Sequence, residues 1–183
     1  LTAVAQGFLH EKRATVSVNG NEKDIDKLAW GVGAGLKFKP TSNNSIQGHI
    51  YHVEGDEKFV SYTAQNAGTL NGYASKGDFS VNANQNDLDQ NKVTTYVLGY
   101  SHKLSDQWRT NLVASLLDFD DTTAYAKNNT TANKRVSDLA ANLFYTPVAS
   151  VDVGVEYHNG EREQFDGKTF DVSRLNFVTT YKF

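Results

Sequence analysis

The stretch Ser173-Arg-Leu-Asn-Phe-Val-Thr-Thr-Tyr-Lys-Phe183 decides the fold. Its odd positions carry Leu175, Phe177, Thr179, Tyr181 and Phe183, and its even positions carry Arg174, Asn176, Val178, Thr180 and Lys182. A β-strand sends successive side chains to opposite faces, so this segment is a strand with one apolar, aromatic face and one mostly polar face.

The same period recurs upstream. Leu28–Lys39 places Leu28, Trp30, Val32, Ala34, Leu36 and Phe38 against Ala29, Gly31, Gly33, Gly35, Lys37 and Lys39. Val93–Leu104 sets Tyr96, Leu98 and Tyr100 against Thr95, Val97, Gly99, Ser101 and Lys103. Trp108–Leu117 and Val151–His158 repeat the pattern, and Val136–Tyr145 and Ser45–Val53 follow it more loosely. Thr2–Glu11 completes a set of eight strands, its faces unassigned. No strand-to-helix alternation occurs, which argues against a βαβ fold. The expected fold is all-β: a transmembrane antiparallel barrel over residues 1–183, with eight strands in this chain.

Composition agrees. The 183 residues include no cysteine, which removes thiol catalysis, cysteine–zinc sites and disulfides. Eighteen basic against 21 acidic residues leave a net charge of −3 with no basic cluster, which argues against nucleic acid as a partner. Mean hydropathy is −0.52. No run approaches the ~18 apolar residues of a spanning helix, whereas barrel strands are apolar only at alternate positions and average out as hydrophilic.

Alternation alone does not say which face meets lipid. Three features put the apolar face outside. Aromatic residues gather near strand ends (Trp30, Phe38, Tyr100, Trp108, Tyr145, Tyr157, Tyr181, Phe183), as in the girdles of membrane barrels. The other face carries Lys37, Arg109, Asp152, Glu156 and Arg174, too many charges for a dry interior. The terminal Phe183, preceded by alternating apolar residues, resembles the C-terminal signature of bacterial outer-membrane proteins.

Connections alternate in expected length. Short ones lie at Pro40–Asn44, Ser105–Gln107 and Pro147–Ala149; long polar ones lie at Arg13–Lys27, Gly55–Asn91, Asp120–Lys134 and Gly160–Asp171. Short periplasmic turns opposite long extracellular loops is the layout of an outer-membrane barrel. In the longest connection, 55–91, Phe59–Thr63 is expected to pair with Gly77–Val81 around Asn71-Gly72. It is either an external hairpin or a loop that narrows the lumen.

Several segments together resemble the C-terminal half of the DcaP-like porins. They are Trp30-Gly-Val-Gly-Ala-Gly-Leu-Lys-Phe-Lys-Pro40, Tyr51-His-Val-Glu-Gly-Asp56 and Gly99-Tyr-Ser-His-Lys-Leu-Ser-Asp-Gln-Trp-Arg109, then Leu143-Phe-Tyr-Thr-Pro147, Val153-Gly-Val-Glu-Tyr157 and Arg174-Leu-Asn-Phe177. Single pieces are weak, but their order runs through nearly the whole chain. The resemblance implies a homotrimeric outer-membrane channel of sixteen strands per subunit, in contact with lipid and lipopolysaccharide and passing small anions, notably dicarboxylates. This chain supplies eight of those strands. Its abrupt start inside a strand, and the glycine, alanine and serine of its polar face, favour a half-barrel over a complete eight-stranded one. The complete small barrel, with a structural or surface-binding role, is the alternative.

Chemistry is sparse. His49 and His52 fall on opposite faces of a strand and do not converge on one metal, and Ser101-His102 splits the same way. Neither a catalytic constellation nor a cofactor is expected. The pore-lining candidates are Lys37, Lys103, Arg109 and Arg174, which would draw in carboxylates, with Asp152 and Glu156 beside them. The competing reading is a cross-strand ion-pair network through Asp138, Asp152 and Glu156 that only solvates the wall. The glycine column Gly31, Gly33 and Gly35 points to a wide wall or the close approach of another backbone.

Overall fold

The computed structural model of the chain describes residues 1–59, 69–70, 73–74 and 78–183. One antiparallel sheet dominates. Its strands are β1 (Thr2–Val18), β2 (Asn21–Phe38), β3 (Asn44–Glu54), β8 (Lys92–Lys103), β9 (Trp108–Phe119), β10 (Asn133–Val148), β11 (Val151–Gln164) and β12 (Thr169–Tyr181). Between β3 and β8 lie two short ladders, β4 (Thr69–Leu70) with β5 (Tyr73–Ala74) and β6 (Phe79–Val81) with β7 (Leu88–Gln90). The eight long strands pair in sequence order, β1 and β12 at the two edges, and the sheet does not close on itself. No helix is long and apolar enough to cross a membrane, a test that does not bear on strands.

The ladder carries each expected face into its neighbour. Tyr181 pairs with Val151, Phe177 with Val155 and Leu175 with Tyr157. Val155 then meets Leu143, which meets Thr110. Leu98 pairs with Ala114 and with Gly48, which meets Leu36. This face has no protein cover: Phe177 is 84% exposed and Leu36 59%. An uncovered apolar surface across eight strands is a surface built for lipid. The register also assigns β1. Ala3, Ala5 and Leu9 pair with Leu36, Ala34 and Trp30 and share the outer face, so Val4 and Phe8 lie on the inner one.

Along the short-turn end the girdle is visible as ring contacts. Trp108 lies 4.7 Å from its cross-strand partner Tyr145, and Tyr181 lies 5.4 Å from Phe183. At the opposite end the outer face turns ionic, with Lys92 on Glu54 at 3.0 Å and Arg135 on Asp118 at 3.1 Å. These cross-strand pairs bound the apolar band from above.

Beyond that boundary the expected loops differ from those found. Arg13–Lys27 is not a loop: β1 and β2 run on to a two-residue turn at Asn19 and Gly20, whose φ values of 53° and 81° fit the hairpin turn with two left-handed residues. Gly160–Asp171 is likewise mostly strand, turning at residues 165–168. Beyond the bilayer the outer face of a hairpin is polar as well, so the alternation that reveals a strand disappears. In the 120–132 connection α1 (Ala124–Asn128) begins at Thr123, whose side chain accepts from the Ala126 amide at 3.1 Å. The pairing expected for 55–91 rested on Val60–Thr63, Asn71-Gly72 and Gly77, which lie outside the described residues. Its remaining half has another partner, since Phe79–Val81 pairs with Leu88–Gln90.

Candidate functional site

The inner face is the candidate site. At β2 this face is glycine, and what lies nearest the glycines is side chain rather than backbone. Gly31, Gly33 and Gly35 are buried because side chains from neighbouring strands lie flat on them. A Cβ on Gly33 would stand 2.2 Å from the Tyr51 ring, and one on Gly31 would stand 2.4 Å from the Phe8 ring. Gly154 holds the Phe144 ring in the same way, at 2.4 Å. Cross-strand aromatics covering glycines keep bulky rings along the wall.

The short-turn end of this face holds a recess of about 430 Å³ containing Lys37, Lys103 and Arg109 together with Lys39, which the sequence reading passed over. Lys103 and Arg109 stand directly opposite each other across β8 and β9, an arrangement that repels unless countered. Each is countered. Lys103 reaches Asp106 at 2.6 Å. Arg109 makes two 3.1 Å bonds to the carboxylate of Asp152 and a third, also 3.1 Å, to Thr146, with its guanidinium 4.6 Å from the Phe144 ring centre. Asp152 also takes Lys182 at 3.0 Å. A bidentate pair of this kind holds both groups in place and neutralises their charge. For Arg109 and Asp152 the structure therefore presents the ion-pair network. Lys37, Lys39 and Arg174 have no ion-pair partner among the described residues.

Glu156 and Arg174 stand farther along the wall. His158 Nε2 lies 2.8 Å from Glu156 and its Nδ1 lies 3.1 Å from Asp138, while Asn142 donates to Glu156 at 3.2 Å. Arg174 pairs in register with His158. It is thus away from the recess that gathers the other three bases. His49 and His52 separate as period two requires, His49 facing inward opposite Gly35 and His52 outward opposite Val32.

Toward the long-loop end the inner face is covered. Phe79, Val81 and Leu88 pack on Val16 and Ile25, and Phe59 stacks on Phe8 at 4.2 Å. Beside them Val53, Val93 and Phe119 form a second buried cluster that receives Phe165 from the 165–168 turn. Acidic residues accompany the apolar ones. Asp56 meets His10 at 2.6 Å and Lys12 at 2.9 Å, Asp78 meets Lys12 at 3.3 Å, and Asp87 meets Lys27 at 2.8 Å. None of these was singled out from sequence. The signal was present, because Lys12 and Lys27 face each other across β1 and β2 and need acidic partners, but it depends on a register that the ladder alone supplies.

A family model described as DcaP outer membrane protein matches residues 2–183. The crystal structure of the outer membrane channel DcaP of Acinetobacter baumannii superimposes with a TM-score of 0.77 at 29% identity, covering 99% of this chain and 46% of that one. The present chain therefore spans about half the length of that channel protein. A second structure, Ail, the attachment invasion locus protein of Yersinia pestis, aligns over 98% of this chain and 97% of its own at 8% identity and a TM-score of 0.30, too low to weigh. No curated protein sequence matches the chain.

Proposed function

Because the chain belongs to the DcaP outer membrane protein family and is integral to the outer membrane, we propose that it forms half the wall of a passive channel for small hydrophilic solutes. The observation that carries this reading is the sheet itself: eight strands present one apolar outer face and one polar inner face, and β1 and β12 do not pair with each other. Hydrocarbon does not tolerate unpaired strand edges, so further strands must complete the cylinder. Coverage of 46% of the Acinetobacter channel supports a barrel of about twice this size, sixteen strands. A barrel that wide leaves an aqueous lumen, whereas eight strands close on side chains alone. The open sheet and the glycine-lined wall count against the complete eight-stranded alternative.

Within that channel, anions are the preferred solutes and dicarboxylates the fitting class. Lys37, Lys39 and Arg174 have no ion-pair partner among the described residues, and Lys103 and Arg109 stand beside the first two. Asp152 and Glu156 are counter-charges that hold the bases and His158 in place. The described ends of the 55–91 connection narrow the lumen rather than extend outward. The assembly is a homotrimer set in lipid and lipopolysaccharide.

Full-length protein in planar bilayers tests this directly. Conductance should rise in triplet steps, and a salt gradient should give a reversal potential on the anion side. Cation preference would overturn the selectivity, single steps would overturn the trimer, and silent bilayers would overturn the channel.

A further inference from the structure

Lys12 and Lys27 stand opposite each other on the inner face of β1 and β2, where two like charges repel. The connection between β3 and β8 brings the compensation from both of its described ends. Asp56, just after β3, reaches Lys12 at 2.9 Å, and Asp78, more than twenty residues on, reaches the same ammonium at 3.3 Å. Asp87 reaches Lys27 at 2.8 Å, and Lys27 also donates to the Leu88 carbonyl at 2.8 Å. Asp56 and Asp78 have side chains only 3% and 2% exposed, and Lys12 only 13%. Asp78 also takes Lys58, from the connection itself, at 3.2 Å, and Asp56 takes His10 at 2.6 Å; Lys12 is the wall residue that joins the two buried carboxylates, and removing it takes a cation from both.

The rest of the docking is apolar packing with little backbone pairing. The β6–β7 ladder is a two-stranded sheet of its own, a unit that is marginal alone, and it forms no ladder with the wall. Besides the lysines it offers the wall three apolar side chains and the Gln90 amide, which donates to the Leu28 carbonyl at 2.9 Å.

We propose that the Lys12–Lys27 pair is a clasp that holds the described ends of this connection on the inner face of the wall, and that it thereby sets the conductance of the channel. Both lysines are positioning residues: they act on passing solute through the segment they hold. The inference rests on the channel reading above and fails separately from it.

The experiment uses full-length protein with Lys12→Met and Lys27→Met, singly and together, in planar bilayers. Losing one charge-assisted bond shifts an equilibrium by about tenfold or more, so the double variant should spend correspondingly longer in a higher-conductance state. The described chain lacks cysteine, which makes a crosslink interpretable. Val16→Cys with Leu88→Cys joins two residues of one buried cluster. Its disulfide should leave wild-type conductance unchanged and return the double lysine variant to it; reduction should release the variant again. Wild-type conductance in the reduced double variant would overturn the clasp. If that variant fails to fold, the crosslink in the wild-type background still decides: no disulfide, or a disulfide that alters conductance, refutes docking. Silence of the unmodified protein would instead refute the channel.

Discussion

Replacing Gly33 by alanine tests the wall at its tightest point. The new Cβ would lie 2.2 Å from Tyr51 Cδ1, 2.4 Å from Cε1 and 2.7 Å from Cγ, three contacts far inside van der Waals range. The ring pivots rigidly about its own Cβ, so it must leave the wall. Overpacking of this kind costs about 1–3 kcal/mol, and the stiffer unfolded chain returns about 0.4–1 kcal/mol, so net destabilisation of about 1–2 kcal/mol is expected. Tyr51→Ala removes the obstacle. In that background Gly33→Ala should stabilise by about 0.5 kcal/mol, because alanine suits a strand better than glycine does. The lost contact of Tyr51 with His49, whose rings stand 5.9 Å apart, occurs in both backgrounds and cancels in the double-mutant cycle. Urea unfolding in detergent micelles, followed by tryptophan emission, measures all four corners. A coupling of about 1–3 kcal/mol is expected, and one below about 0.5 kcal/mol would refute the idea that glycine exists here to seat the ring. Conductance adds a second readout: Gly33→Ala should lower it by tipping the ring into the lumen, and the double variant should restore it.

Three further outcomes follow from the same geometry. Asp152→Asn removes the negative charge shared by Arg109 and Lys182, so the reversal potential in a salt gradient should move further toward anions, and an unchanged potential would place these groups outside the conduction path. Phe177→Arg puts a charge into lipid and should cost up to about 2–4 kcal/mol in vesicle refolding, whereas Asn176→Arg, on the inner face opposite Glu156, should refold normally; equal losses would contradict the face assignment. Burial raises the Asp89 carboxyl above its ordinary range, Lys27 opposing and Asp87 adding to the shift. A carboxyl whose folded pKa exceeds its unfolded one favours the docked state at low pH and disfavours it as pH rises through the raised value. Hydrogen exchange at residues 88–91 should therefore quicken with rising pH beyond the intrinsic rate, and Asp89→Asn should abolish that excess.

Much of this molecule was readable as a linear pattern, because a strand in a bilayer obeys a local rule. Each side chain of Leu28–Lys39 or Ser173–Phe183 meets lipid or water according to its own position, with period two, so polarity, strand number and the outward aromatics needed no knowledge of neighbours. The rule lapses where the bilayer ends. Residues 13–27 looked like a loop because the outer face of that hairpin is polar and its inner face mixes Val16 and Ile25 with Lys12 and Lys27, and only the ladder through Asn19-Gly20 reveals it. Register then decides everything that needs two strands at once: that Lys103 opposes Arg109, that Asp152 neutralises Arg109, and that Tyr51 lies on Gly33. The docking of Asp56, Asp78 and Asp87 on Lys12 and Lys27 belongs to the same class. The one-dimensional pattern determined which side of the wall each residue occupies. The tertiary fold alone decided which charges remain free on that wall, because pairing depends on distances between strands that no single strand encodes.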